Sequence, residues 1–438
     1  MLCYLLTRGH LAGVPLSRTL WSHVATALDA ASIDESPQHL VSQLLMASLL
    51  HPLTAAAPRD PAHAREVLEW LREQCQARGW HLPPELIHEA LSHPGEVLEV
   101  YYKTYVGWGG SAVGRVGVTL LESGSGITHN TTGLTTWYGA AVLADWATDN
   151  EVLAGRRVVE LGAGVGFTAS VILTSTAEGR PPPTTYLLTD CHHHVLTLLH
   201  HNLTLNLASP PPKRQDLEVF QREVSEELVK GEVEAGEVVS WPPGGATTTP
   251  VAVEGGGGST EVSVMQVDWR HPPPLPPVDV VVASDVVYAR HLIPALVTLI
   301  RSILDGSGSR QFEGNQEKQG VLANSKSTRG TGRLQGKSDE VNKKDEGSLD
   351  YRGKGSEEEE RQGRREREAF IACTRRNQET LSVFLEEVSR QGLTYTLVYQ
   401  ATLHTDTALF LYNETHLPVK IYRITVPPPP PPEPSCDA

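Results

Sequence analysis

The stretch VVELGAGVGFTA, residues 158–169, decides the fold class of this chain. It begins as an apolar run typical of a buried strand, passes through glycines at positions 162, 164 and 166, and continues into a helical pattern. Glycines there let the backbone approach a ligand closely, and the amide groups at the helix start point outward. We therefore predict a strand, a tight turn and a helix, with a nucleotide-like ligand at the turn.

Further buried strands and helices alternate after this turn. The predicted strands are TTYLLTD (184–190), DVVVASDVVY (279–288) and EAFIACT (368–374), and the predicted helices between and after them are VLTLLHHNLTLN (195–206), LIPALVTLIRSIL (292–304) and NQETLSVFLEEVSRQG (377–392). This order predicts an α/β fold with a doubly wound parallel sheet. The last two strands, LTYTLVYQ (393–400) and LPVKIYRITV (417–426), are expected to form an antiparallel pair at the end of that sheet.

The rest of the chain divides by composition. Residues 16–105 have apolar positions at three- and four-residue spacing, and we predict a small helical N-terminal domain over 1–105 and a larger α/β domain over 106–426. Residues 209–260 and 305–368 are rich in Gly, Pro, Thr, Ser, Lys and Glu and are expected to be flexible insertions. The proline-rich tail, 427–438, is expected to be disordered.

Charge and cysteine content limit the partners and the compartment. The formal net charge is −15, from 37 Lys and Arg against 52 Asp and Glu, which argues against direct nucleic-acid binding and favours a protein partner. Five scattered cysteines suit a reducing compartment. Since we also find no secretory signal and no run of 18 apolar residues, we predict a cytoplasmic protein without a membrane partner.

The glycine turn favours S-adenosylmethionine over a dinucleotide. A dinucleotide fingerprint would need glycine at position 167, which is Phe167. Glu160 stands just before the glycines, where a carboxylate is awkward for a pyrophosphate but acceptable near a sulfonium. We therefore predict that Glu160, Gly162, Ala163 and Gly164 bind the cofactor.

Asp190 ends the strand TTYLLTD, the place where a doubly wound sheet delivers an acid to the ribose hydroxyls. It could also cap the histidine-rich helix that follows, and the two roles are compatible. Trp269, after the strand SVMQV, could stack on adenine while Asp268 accepts from its amino group. Trp137, at a predicted helix start, could cover the cofactor, although core packing remains an alternative for both tryptophans.

The segment Ser284-Asp285-Val-Val-Tyr288 ends the fourth strand, where open α/β sheets present reactive groups. Methyl transfer to an amine requires a neutral nitrogen in line with the sulfonium. The Asp285 carboxylate could orient such an amine, and the Tyr288 hydroxyl could share its hydrogen bonds. We predict these two as catalytic residues, with a structural Asp285 as the alternative.

The histidines at positions 192–194, with His200 and His201, could suggest a metal site. They lie on one predicted helix, and the sequence identifies no residues that would hydrogen-bond to them and orient them as ligands. We therefore expect no metal.

Several segments together resemble a known family, the seven-β-strand protein-lysine methyltransferases of the FAM86 type. They are LLHPLTAAAPRDPAHAREVLEWL (49–71), THNTTGLTTWYGAAVLADWA (128–147), VVELGAGVGFTA (158–169), LTDCHHHVLTLLHHNLTLN (188–206), VDW (267–269), SDVVYA (284–289), RRNQETLSVFLEE (375–387) and FLYNETHLPVKIYRI (410–424). The first of these lies in the helical N-terminal region and narrows the choice to that subfamily.

The resemblance implies a Rossmann-like seven-stranded methyltransferase sheet and S-adenosylmethionine as cofactor. It assigns cofactor contacts to Trp137, the glycine turn, Asp190, Trp269 and Ser284, and links the DxxY motif, Asp285 to Tyr288, to methylation of protein lysines. The implied substrate is eukaryotic elongation factor 2. A methyltransferase acting on another protein or a small amine, and a non-catalytic adaptor that retains the fold, remain alternatives.

Overall fold

The structure is a computed structural model. It describes residues 2–16, 19–31, 36–91, 98–107, 117–124, 131–175, 182–208, 210–230, 251–255, 258–307, 366–401 and 417–428.

Helices come first along the chain, and strands and helices then alternate. The elements are α1 (Leu2–Leu11), α2 (Thr19–Ala31), α3 (Pro37–Met46), α4 (Pro52–Ala56), α5 (Pro61–Ala77), α6 (Pro84–Leu91), β1 (Val100–Val106), β2 (Gly117–Ser123), α7 (Tyr138–Asn150), β3 (Arg157–Leu161), α8 (Phe167–Ser175), β4 (Thr185–Asp190), α9 (His193–Leu207), α10 (Arg214–Lys230), β5 (Val251–Gly255), β6 (Gly258–Gln266), β7 (Val280–Ser284), α11 (Ile293–Leu304), β8 (Glu368–Thr374), α12 (Gln378–Arg390), β9 (Thr394–Ala401) and β10 (Val419–Thr425).

The main sheet confirms the predicted fold class. Its strand order is β5-β6-β4-β3-β7-β8-β10-β9, and β6, β4, β3, β7 and β8 pair in parallel. β10 pairs antiparallel with both β8 and β9, as expected for the end of the sheet. These seven strands form the Rossmann-like sheet, and β5 adds an eighth, antiparallel strand at the β6 edge.

Local sequence signals set where the helices begin. Asp60 accepts a hydrogen bond from the Ala62 N–H at the start of α5, and Pro61 occupies the first turn, where no N–H is needed. Asn377 caps α12 by accepting from the N–H groups of Glu379 and Thr380. None of the helices in the described ranges is long and apolar enough to cross a membrane.

The prediction that residues 209–260 lack packed structure is wrong for two parts of the segment. Residues 214–230 form α10, which buries Leu217, Val224 and Leu228 at helical spacing. Residues 251–255 form β5, and β6 begins at Gly258. The prediction averaged composition over the whole segment, whereas its prolines and glycines lie mainly on either side of α10. Residues 231–250 lie outside the described residues.

Two further segments predicted from composition lie mostly outside the described residues. Of the insertion predicted at 305–368, the structure describes only residues 305–307 and 366–368, and of the proline-rich tail only 427 and 428. The predicted domain boundary at residue 105 falls inside β1. The division of the chain into two domains therefore stays a prediction.

β1 and β2 form a separate antiparallel hairpin between the N-terminal helices and the main sheet. The side-chain amides of Asn202 and Asn206, one turn apart on α9, each bond to both main-chain groups of one β2 residue, Leu121 and Thr119 respectively. On the other side, Gln221 of α10 donates to the carbonyl of Val100 at 2.7 Å. The two helices that bond to the hairpin thus hold it by its outer main-chain groups.

One hydrophobic cluster runs from the N-terminal helices through this hairpin to the helices beside the sheet. It includes buried side chains of α2, α3 and α5, of β1 and β2, and of α7, α8 and α9. Tyr105 of β1 meets the ring of Phe167 edge-on, with ring centres 5.0 Å apart. The hairpin therefore connects the N-terminal helices to the glycine turn, because Phe167 follows that turn directly.

Candidate active site

The carboxyl ends of β3, β4, β6 and β7 meet at one open cleft. Nine of the ten predicted site residues line it: Trp137, Gly162, Ala163, Gly164, Asp190, Trp269, Ser284, Asp285 and Tyr288. The tenth, Glu160, is not among the lining residues. The parallel sheet explains the convergence, because equivalent strand ends lie at one edge.

The glycine turn has the backbone that its sequence predicts. Gly162 and Gly164 have φ values of 65° and 54°, in the left-handed region that favours glycine. A Cβ added at Gly162 would lie 2.9 Å from Val286 Cγ1 and 3.3 Å from Trp269, and one at Gly164 would lie 3.2 Å from the Gly133 carbonyl oxygen. Side chains at these two positions would therefore collide with neighbouring residues that line the cleft.

Asp190 lies beside the turn and bonds to it. Its Oδ2 accepts from the Gly164 N–H at 3.2 Å, and its Oδ1 accepts from the N–H groups of Cys191 and His192. Burial raises the pKa of Asp190 against these three donors, which act in the opposite direction. A carboxylate has about four acceptor positions, so one remains on Oδ2 for a ligand hydroxyl. The helix cap position itself belongs to His192, so Asp190 supports α9 from two residues before the cap.

Glu160 lies beneath the cleft rather than in it. Its side chain is buried, and its Oε2 accepts from the hydroxyl of Tyr186 on β4 at 2.9 Å. Burial raises the pKa of Glu160 to about 7. The alternation of side chains along β3 explains this position, since Glu160 points to one face of the sheet while the glycine turn follows at its end. A direct contact between Glu160 and the cofactor stays a prediction that this geometry does not support.

The two predicted tryptophans reach the cleft from different segments of the chain. Trp269 follows β6 and packs partly against the core beside Gly162. Trp137 is the residue before α7, and its indole N–H donates to the Thr132 carbonyl at 2.8 Å. The guanidinium of Arg376 lies 4.0 Å from the centre of the Trp137 ring, a cation–π distance.

The carboxylate of Asp268, next to Trp269, pairs with the Arg270 side chain. Its carboxylate accepts from Arg270 through both oxygens, at 2.7 to 3.2 Å, and this pairing holds the pKa of Asp268 below its usual value. Arg270 therefore competes for the oxygens that were expected to receive an adenine amino group.

Asp285 links three elements at the end of β7. Its Oδ2 accepts from the Gly139 N–H on α7 at 2.9 Å and from the Thr374 hydroxyl at 3.0 Å, while its Oδ1 accepts from the Thr374 N–H at the end of β8. The guanidinium of Arg376 lies 3.9 Å from the same Oδ2. The side chain is only 6% exposed, so at most one acceptor position, on Oδ1, remains for a substrate.

Tyr288 stands at the rim of the cleft and is 52% exposed. Its hydroxyl bonds to the Thr132 side chain, and burial of its inner part raises its pKa above the ordinary value for tyrosine. At neutral pH the phenol therefore keeps its proton, and it can donate or share a hydrogen bond but does not act as a strong base.

Several residues that shape the cleft were not predicted from the sequence. Thr374, Gly139 and Arg376 fix Asp285 and Trp137, and buried Glu122 of β2 accepts from the N–H and hydroxyl of Thr136, which lines the cleft. Their signal was weak because each contact joins residues far apart in the chain. Gly139 and Thr136 lie in THNTTGLTTWYGAAVLADWA and Arg376 lies in RRNQETLSVFLEE, two segments that carry the resemblance, but the resemblance assigned none of them a role.

Comparison with known proteins confirms the resemblance predicted from the sequence. A protein named protein-lysine N-methyltransferase EEF2KMT from Bos taurus is 28% identical over 293 residues, which cover 66% of this chain and 75% of that protein. A human protein named putative protein N-methyltransferase FAM86B2 is 26% identical over 418 residues, 93% of each chain.

Comparisons with family models and with solved structures gave no similarity of this strength. A scan of the chain against models of protein families found no match. Among solved structures, a putative transferase from Pyrococcus horikoshii aligns with a TM-score of 0.34 and 9% identity, covering 84% of this chain and 85% of that one.

Proposed function

We propose that this protein is an S-adenosylmethionine-dependent protein-lysine N-methyltransferase. The observation that carries the proposal is the convergence, in one cleft, of the glycine turn at 162–164, Asp190 and the DxxY residues. The relatives are named N-methyltransferases, which supports the same class of enzyme for this chain.

The lining of the cleft fits S-adenosylmethionine. The floor at Gly162 and Gly164 has no side chains that would fill it, and the free acceptor position on Asp190 suits a ribose hydroxyl. Trp269 offers an aromatic face for adenine. When bound, the cofactor supplies a methyl group activated by a sulfonium. Ser284 and Trp137 are further proposed contacts.

The DxxY residues have different tasks in this proposal. The Asp285 carboxylate, fixed by Gly139 and Thr374, gives the inner part of the cleft a negative charge that attracts and orients a lysine ammonium. Tyr288, at the rim, shares hydrogen bonds with the incoming amine. The ammonium loses its proton to solvent before transfer, and the Tyr288 phenol, whose pKa is raised, keeps its own proton at neutral pH.

The proposed substrate is a lysine of eukaryotic elongation factor 2, in the cytoplasm. The FAM86-type resemblance, including its N-terminal segment, and the relatives named EEF2KMT support this choice. The net charge of −15 also suits a protein substrate better than a nucleic acid.

The test is labelled-methyl transfer from S-adenosylmethionine to purified elongation factor 2, with calorimetry of cofactor binding alongside. We expect label on a lysine with the wild-type protein and a loss of about a hundredfold in turnover for Asp285→Asn. Cofactor binding without label would reject this substrate and direct the search to other proteins and small amines. No binding at millimolar cofactor would reject the enzyme itself and leave the adaptor.

A further inference from the structure

A group of metal-ligating side chains lies outside the cleft, where the start of α9 meets α10. His193 and His194 are the first two residues of α9, and Glu227 lies near the end of α10. One ligand atom from each of the three lies within 4.8 Å of the others. The residues come from segments more than thirty positions apart, so the fold and not the chain order brings them together.

The spacing of these atoms is close to what a metal ion requires. Zinc binds imidazole nitrogen and carboxylate oxygen at about 2.0 to 2.2 Å, so ligand atoms around a tetrahedral ion lie roughly 3.4 Å apart. His194 Nδ1 and Glu227 Oε1 are 3.9 Å apart. The Glu227 side chain is largely exposed and can move toward the histidines without disturbing the core.

The surroundings hold the two histidines in place. Their ring centres lie 3.7 Å apart, and the His194 side chain is almost fully buried between the helices. Imidazole is mostly neutral at pH 7, the form that binds metals, and the carboxylate supplies the negative charge. Two imidazoles and one carboxylate form a donor set suited to zinc and its neighbours rather than to calcium or magnesium.

We propose that His193, His194 and Glu227 form a binding site for a divalent transition-metal ion of the zinc type, with water completing the coordination. The bound ion joins α10 to the first turn of α9. This site departs from the sequence-based expectation of no metal, because the third ligand lies in a segment that was predicted to lack packed structure.

The probe is Zn²⁺, added to full-length protein that carries no histidine tag and has been stripped with a chelator. Calorimetry of the wild type should give one equivalent bound at this site, and the melting temperature should rise with zinc and return with EDTA. Co²⁺ should give the strong visible absorption of a tetrahedral site.

The decisive variants are His193→Gln and Glu227→Gln, whose side chains are not fully buried. Each should weaken zinc binding more than about tenfold, since losing even an outer partner of a metal ligand costs that much. The matched controls are His200→Gln, on the same helix as His193, and Glu226→Gln, next to Glu227; neither belongs to the cluster, and both should bind like the wild type.

Two results would overturn the proposal. One is zinc affinity and stoichiometry unchanged in His193→Gln and Glu227→Gln, which would place any bound zinc on other surface histidines. The other is a wild-type protein that shows no zinc-dependent change in calorimetry or melting temperature. Neither readout depends on methyl transfer, so the result stands apart from the proposed function.

Discussion

The backbone of Asp285 is unusual as well as its side chain. Its φ is 53°, in the left-handed region, where an L residue other than glycine costs roughly 1 to 2 kcal/mol and where Asp and Asn are the best tolerated. Such strain persists where surrounding contacts fix the residue, and here these are the bonds to Gly139 and Thr374. The conformation therefore favours Asp or Asn at this position over other residues.

Asp285→Asn keeps the size and the tolerance for this φ but removes the charge. Its amide nitrogen must face an N–H donor at either Gly139 or Thr374, so we expect the free energy of unfolding to fall by about 1 to 3 kcal/mol, besides the loss of turnover. Urea unfolding measures the first effect. The comparison is Tyr288→Phe, at the exposed rim, which should change stability by less than about 0.5 kcal/mol. Equal stability of Asp285→Asn and wild type would show that the three contacts contribute little.

Glu160 makes stability depend on pH. Burial raises its folded-state pKa to about 7, above the ordinary 4.5 of the unfolded chain. Between these values the folded protein holds a proton that the unfolded chain has released, so the contribution of this group is fully present at low pH and is lost as pH rises through about 7. The loss amounts to at most about 3 kcal/mol.

Glu160→Gln should therefore be more stable than wild type at pH 8, and the difference should shrink at pH 5.5. The glutamine oxygen can still accept from Tyr186, so the hydrogen bond is kept. Chemical unfolding of both proteins at the two pH values tests this, with Glu226→Gln on the surface as control. A difference that is independent of pH would contradict the raised pKa.

At the scale of elements, several strands were predicted closely, but the predicted strand DVVVASDVVY runs to residue 288 whereas β7 ends at Ser284. The predicted strand EAFIACT coincides with β8, and TTYLLTD with β4 to within a residue, because buried parallel strands are continuous apolar runs. The same pattern located the cleft, since strand ends carry the site. The direction of side chains was less predictable. The position of the Glu160 side chain beneath the cleft depends on the register of β3 against β4, which the sequence does not contain.

Helix α10 shows the limit of composition as a guide. Its mean polarity is high, yet Leu217, Val224 and Leu228 recur at helical spacing and pack under the hairpin. The helical periodicity was present in the sequence, but the flanking prolines and glycines dominated the composition on which the prediction was based. Glu227, on the same helix, could not be matched to the histidines without knowing how α10 packs.

Leu228→Ala tests the packing of α10. Leu228 is 1% exposed, so the substitution leaves a cavity and should cost about 2 to 5 kcal/mol of unfolding free energy. Its neighbour Val229 is 69% exposed, and Val229→Ala should change stability by less than about 0.5 kcal/mol. Thermal and urea unfolding compare the two. Similar small effects from both would mean that α10 does not pack as described.

At the scale of the whole molecule, the N-terminal helices and the region around the glycine turn share one hydrophobic cluster. Trp21 of α2 meets Trp70 of α5 within it, and the hairpin continues it to Phe167. A shared core predicts joint unfolding, which the sequence, with its change of texture near residue 105, did not suggest.

We expect the chain to unfold in a single transition, followed by tryptophan fluorescence and far-ultraviolet circular dichroism together. Leu44→Ala, in the core of α3, should lower the midpoint of that whole transition, at a cost of about 2 to 5 kcal/mol. Met46→Ala, half-exposed on the same helix, is the control. Two separate transitions, only one of them shifted by Leu44→Ala, would show that the N-terminal helices unfold independently.

The outer main-chain groups of the hairpin matter for aggregation. An isolated two-stranded ribbon has two free edges, and each can recruit a strand from a neighbouring molecule and start aggregation. Here Asn202 and Asn206 occupy the β2 edge at residues 121 and 119, and Gln221 occupies the β1 edge at Val100. Pro58 and Arg59 bond in the same way to the main-chain groups of Tyr102 on β1, so these contacts together cover groups that an added strand would need for pairing.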